Sequence, residues 1–213
     1  MRSTLPSCIG SLEVRPLERG DEKYLKAFAD TLSANSKELF APYRWDTDKQ
    51  IEDYRMAIAG HEAGKDSSYL IFSPSGTPIG HLALWRITQK YSFNGKSLQI
   101  PILGICIADA FQGKGIGRLG MQFLMGYAQD SKADAIELTF AHWNERAKRL
   151  YFSIGFEDIG TLKIPLGVNP ATQDVDFSSI KIWREERHCM YIINESKTSI
   201  IKSYLKSKQS KKV

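Results

Sequence analysis

Three glycines fall within five residues at Gln112-Gly113-Lys114-Gly115-Ile116-Gly117. An apolar run, residues 100–108, precedes them, and an amphipathic run, residues 118–128, follows. That order predicts strand, tight turn and helix. Glycine can turn the backbone sharply and leaves its N–H groups uncovered. The helix start adds unpaired N–H donors and a partial positive charge. Together these features predict a cradle for a phosphate or pyrophosphate group.

Two common nucleotide-binding arrangements do not fit. A P-loop needs Lys followed by Ser or Thr, but Lys114 is followed by Gly115. A dinucleotide fingerprint opens the first strand–helix unit and places an acid near the end of the next strand. This loop lies mid-chain, and the next apolar strand ends in Ala141-His142-Trp143. A second segment, about thirty residues on, is more telling: Asn144, Ala147, Leu150-Tyr151 and Gly155-Phe156. With Gln112, Gly115 and Gly117, these residues resemble the two signatures of the GNAT superfamily of acyl-CoA-dependent N-acyltransferases. The resemblance covers roughly residues 100–160.

The resemblance implies an α/β (α+β) fold. Its sheet is mixed and mostly antiparallel, with six to seven strands splayed at the cofactor site and about four flanking helices. It implies acetyl-CoA as co-substrate, no metal, and direct acyl transfer to a primary amine. Backbone N–H groups of Gln112, Gly113, Lys114, Gly115, Ile116, Gly117 and Arg118 are expected to face the pyrophosphate. Ile105 and Ile107 are expected beside the pantetheine arm, with the Ile107 N–H polarising the thioester carbonyl. Cys106, between them, reads as a small buried residue. Asn144 suits both an N-cap and a cofactor contact. Tyr151 matches the family's general acid; packing alone could also place an aromatic there.

The general base is less defined. Residues 100–108 contain no acid, and Gln99 and Asp109 only flank them. His81, His142 and a water chain are the other candidates. Acceptor specificity is expected from residues 33–46 and 166–187, with Phe40, Tyr43, Arg44 and Trp45 able to line a groove. The acceptor expected first is a protein N-terminus, then a small-molecule amine. A non-catalytic acyl-CoA-binding module is the rival, and a homodimer is compatible with the resemblance.

At 213 residues the chain suits one domain, taken as residues 1–195 followed by a basic tail, 196–213. No long apolar run predicts a membrane span, and the N-terminus has no apolar leader. Cys8, Cys106 and Cys189 form no CxxC pair, which points to a reducing, cytoplasmic compartment. The tail's six lysines exceed the whole net charge of +5. They read as a solvated tail, with a contact to RNA or an acidic partner as the sharper alternative. Ile200, Ile201 and Leu205 could instead form one face of a short packed helix. Without the tail, nothing marks the body as a nucleic-acid binder.

Periodicity predicts the order β-α-α-β-β-β-α-β-α-β-β. Asp21 is expected to cap the first helix, and Asp46 or Thr47 the second. Asn94-Gly95 is expected to turn a hairpin.

Overall fold

The computed structural model describes residues 2–40, 42–168 and 182–209. Its strands are β1 (Ser3–Ser7), β2 (Gly10–Pro16), β3 (Ser67–Phe72), β4 (Pro78–Trp85), β5 (Tyr91–Phe93), β6 (Lys96–Leu98), β7 (Ile102–Ile107), β8 (Ala135–Phe140), β9 (Glu157–Pro165) and β10 (Trp183–Ile192). Its helices are α1 (Glu22–Ala29), α2 (Ala34–Leu39), α3 (Gln50–Glu62), α4 (Ile116–Asp130), α5 (Glu145–Ile154) and α6 (Thr198–Gln209). Eight strands form one sheet in the order β1-β2-β3-β4-β7-β8-β10-β9, while β5 and β6 form a separate hairpin. Asn94-Gly95 makes its turn, as expected, with Phe93 opposite Lys96. No helix among the described residues is long and apolar enough to cross a membrane.

Every pairing in the large sheet is antiparallel except β7 with β8. That parallel pair holds at a single position, Ile102 opposite Glu137. Hydrogen bonds just before it, Asp134 to Gln99 at 2.8 Å and Glu137 to Pro101 at 3.0 Å, fix the strands at their starts. Beyond Ile102 they part. Strand β7 stays paired with β4 to Ile107, and β8 stays paired with β10 to Phe140. The sheet is therefore two ladders joined at one end and open at the other, which is the expected splay.

Pleating sorts side chains to the two faces. Leu82 and Ile105 face α4; a Cβ on Gly120 would come within 2.8 Å and 3.0 Å of them, so that glycine lets the helix lie close. His81 and Cys106 face the other way, toward Phe40 and Tyr43.

The sheet exceeds the expected six to seven strands because the short, largely polar β1 pairs with β2. Among the described residues six helices replace the expected about four. Helix α2 lies in a stretch read as loop, capped by Ser33, whose side chain accepts from Ser36 N. Asp21 is the N-cap residue of α1, as expected, but its side chain makes no cap hydrogen bond. Instead its carboxylate is held by Arg15 at 2.7 and 2.9 Å, and both residues are buried. Lys49, rather than Asp46 or Thr47, is the N-cap residue of α3.

The basic tail also differs from the solvated expectation as far as Gln209. Ile201 and Leu205 of α6 are fully buried against Leu98, Ile100, Ala135 and Met190. Lys197 pairs with Asp134 and Lys202 with Glu157, each at 2.9 Å, and Lys208 pairs with buried Glu137. Leu205→Ala is expected to cost about 2–5 kcal/mol through lost burial and a residual cavity. Urea melts of the two proteins measure it; a change below about 0.5 kcal/mol would mean α6 is dispensable.

Candidate active site

Directly after β7 the chain makes a 3-10 turn, Asp109–Phe111, and enters the glycine loop. Gly113 and Gly115 have φ of +76° and +78°, a left-handed conformation that suits glycine. Gly115 is the N-cap of α4. Among the described residues nothing accepts from the N–H groups of Gly113, Lys114, Gly115, Ile116, Gly117 or Arg118. Six consecutive free donors at a helix start fit an anionic ligand. Lys114, Arg118, Arg146 and Arg149 add positive charge near them.

Gln112 departs from the expected role. Its own N–H is given to Asp109 O at 3.2 Å. Its side-chain amide donates to Ile107 O and to Asp109 Oδ1, both at 2.9 Å, and Arg146 holds its carbonyl. It braces the turn, and the free donors begin one residue later. Asp109 is a bracket too. It accepts from Ser33 N at 2.7 Å and from the Ser36 hydroxyl, tying the start of α2 to the loop. Burial alone would raise its pKa, but the Ser36 and Ser33 hydrogen bonds outweigh that and lower it. With its oxygens committed, Asp109 is poorly suited to act as the base.

The strand before the loop supplies the next groups. Ala108 N donates to Ile79 O at 2.9 Å, which makes these residues a hydrogen-bonded pair of the β4–β7 ladder. Such pairs alternate in an antiparallel ladder. Cys106 therefore also bonds toward β4, and the N–H groups of Ile105 and Ile107 point into the opening beside β8. Gln112 occupies the Ile107 carbonyl, and no described residue occupies its N–H. Cys106 is buried, and burial pushes its thiol well up, so it is no thiolate.

Helix α5 faces the opening from the other side. Asn144 is its N-cap, accepting from Ala147 N at 3.1 Å. Tyr151 packs against Phe140 and Phe156, with ring centroids 5.6 and 6.0 Å away. Its phenol has no protein hydrogen-bond partner among the described residues, and the ring lines the cleft. Burial, then the charge of Glu186, pushes its pKa up. Ile105, Ile107, Gln112, Gly113, Gly115, Gly117, Arg118, Asn144 and Tyr151 thus share one cleft of about 1130 Å³; Lys114 and Ile116 border it.

The cleft passes through the split sheet to its other face. There Phe40, Trp85, Thr139, Glu137 and Glu186 line it. Trp85 lies across Gly104, where a Cβ would come 2.2 Å from the ring. Of the four aromatic-segment residues expected at an acceptor groove, only Phe40 reaches the cleft. Tyr43 is buried against His81, Trp45 donates to Phe40 O at 2.8 Å, and Arg44 is tied to Asp53 at 2.7 Å through its N–H. The expected connection 166–187 is shorter, since β9 runs to Pro165 and β10 starts at Trp183; residues 169–181 lie outside the described ones.

Neither candidate histidine is placed as a base. His81 is fully buried beside the Tyr43 hydroxyl, 3.4 Å from Nε2, and lies outside the cleft lining. His142 is exposed and packs edge-on to Trp143, also outside the lining. The buried acids were missed by sequence reading. Glu137 accepts from His188 at 3.0 Å and from Lys208, and burial's upward push on its carboxyl is outweighed by those partners. Glu186 is only 3% exposed and is held on Oε1 by Arg184.

The model of the acetyltransferase (GNAT) family matches residues 28–156. Among solved structures, a ribosomal L7/L12 alpha-N-protein acetyltransferase superposes with a TM-score of 0.65 at 17% identity, covering 91% of this chain and 96% of that one. RimJ of Mycobacterium smegmatis, in complex with CoA-disulfide, gives 0.63 at 19% identity, covering 91% and 88%. A spermidine N-acetyltransferase of Vibrio cholerae, in complex with CoA and spermine, gives 0.61 at 20% identity, covering 86% and 95%. These likenesses establish the fold. A search of curated protein sequences finds no match.

Proposed function

Because the chain belongs to the GNAT acetyltransferase family, we propose that it transfers the acetyl group of acetyl-CoA directly to a primary amine. One observation carries this reading: the opening between β7 and β8 joins the free donors of residues 113–118 to the Ile107 N–H and the Tyr151 phenol. A pyrophosphate fits the donor run, and an extended amide chain fits along the unpaired edge of β7.

Each residue then has a task. The Ile107 N–H meets the negative charge that grows on the thioester oxygen. Tyr151 gives its proton to the departing sulfur. Asn144 lies beside the pantetheine arm while capping α5. Gln112 and Asp109 hold the loop so that its donors stay aimed without reorganising.

The acceptor we favour is a protein N-terminus. An α-amine has a pKa of about 8, so a useful fraction is already neutral near pH 7. Ribosomal-protein and polyamine acetyltransferases both occur among the structural neighbours. The test is release of free CoA thiol from acetyl-CoA with a panel of N-terminal peptides, amino sugars and spermidine. Turnover concentrated on the peptides is expected. Tight CoA binding without turnover on any amine would replace the enzyme reading with a binding-module reading.

A further inference from the structure

Strand β10 carries Glu186, His188 and Met190 on one face. Pairing sets Arg187 opposite Phe140, so Glu186 sits one residue beyond the end of β8, where the sheet has opened. His188 shares its face with Thr139, on the side of the sheet away from α5. The Glu186 carboxylate lines the cleft there and is nearly inaccessible.

Its pairing is one-sided. Arg184 donates from Nε at 2.9 Å and from Nη2, both to Oε1. Arg184 is itself fixed elsewhere: Nη1 donates to Glu38 O at 2.8 Å, and its guanidinium lies 5.6 Å from the centre of the Trp143 ring. No described residue bonds Oε2. A buried charged group normally has its hydrogen-bonding positions filled. Glu137, the other buried acid of the cleft, follows that rule, with one oxygen on His188 and the other on Lys208. Of the two buried acids of the cleft, Glu186 is thus the one with an oxygen to spare. Across the gap stands Tyr151, for which Glu186 is the strongest charge influence.

We propose that Glu186 receives the cationic amine of the acceptor, its spare oxygen holding the ammonium in the split and taking one proton from it. This rests on the acetyl-transfer reading and names the acceptor as a primary ammonium. One proton of R–NH3+ passes to Glu186. The freed lone pair forms the C–N bond, and the C–S bonding pair leaves with sulfur. Tyr151 protonates that sulfur and regains a proton from the attached nitrogen. Glu186 releases its proton to solvent, so one proton is produced for each amide and thiol formed.

The test compares two nucleophiles in Glu186→Gln: the best ammonium acceptor of the panel, and hydroxylamine, which is uncharged at neutral pH. With the ammonium acceptor, kcat/KM is expected to fall about thirtyfold; with hydroxylamine, about threefold at most, after subtraction of the uncatalysed rate. The Kd for CoA, measured by calorimetry, is expected to stay within about twofold. Equal losses with both nucleophiles, or no loss, would overturn the assignment while leaving acetyl transfer intact. A wild type that binds CoA but acetylates no amine would overturn the reading beneath it as well. Should Glu186→Gln not fold, Glu186→Asp decides. A loss of about tenfold confined to the ammonium acceptor supports the role, and unchanged rates with both nucleophiles reject it.

Discussion

Replacing Tyr151 with Phe is expected to lower kcat for acetyl transfer by about a hundredfold or more, the range for loss of a general acid. The change removes one oxygen and leaves the ring. Packing against Phe140 and Phe156 survives, so stability should change little. Because the phenol makes no hydrogen bond to a described residue, its deletion orphans no partner. The loss therefore reports on the chemical step. Acetyl-CoA should still bind with nearly wild-type affinity, since the donors of residues 113–118 and the edge of β7 are untouched.

The raised pKa of Tyr151 raises a difficulty, because a weaker acid donates less readily. The site that buries the phenol also buries the departing thiolate, and desolvation disfavours both anions. What matters is the difference between them inside the cleft. Burial also keeps the phenol protonated throughout the neutral range, so the acid form is always present. The measurement is thiol release under saturating acetyl-CoA and acceptor. A fall smaller than about threefold would return Tyr151 to a packing role.

The part of this site that the sequence exposes is the part made by local structure. Gly113, Gly115 and Gly117 turn the chain between one strand and the next helix, and Asn144 caps a helix it directly precedes. Both are contacts within a few residues, and spacing reports them. The split between β7 and β8 leaves no local mark; only the resemblance anticipated it. Glu186 escaped because residues 166–187 read as a connection, whereas pairing with Leu162 makes 183–187 part of a strand. The alternation of Glu186, His188 and Met190 was the one available signal. Asp109 was judged by its nearness to the loop, but its role is set by Ser33 and Ser36, more than seventy positions away. The tail lysines read as solvated because their partners Glu137, Asp134 and Glu157 come from distant segments.

The other large effect belongs to His81, and it concerns stability. A neutral histidine locked among Phe40, Tyr43 and Cys106 cannot readily take up a proton; burial lowers its pKa from 6.5 to about 3. The unfolded chain keeps the ordinary value. Above about pH 6.5 neither state binds the proton, and His81 contributes no pH dependence. Below it, the unfolded state is protonated and the folded state is not. Stability is then lost as pH falls, by about 1.4 kcal/mol per unit, until the folded value is reached. Between about pH 7 and pH 5 this amounts to about 2 kcal/mol. His61, also lowered by burial, adds loss of the same sign. Urea melts of wild type and His81→Gln at both pH values isolate the His81 part. The variant keeps a polar group beside the Tyr43 hydroxyl but has nothing to titrate. It is expected to be less stable near pH 7, and its stability should fall by about 2 kcal/mol less than that of wild type on acidification. Parallel losses in the two proteins would show that the folded His81 ring takes up a proton as readily as the unfolded one.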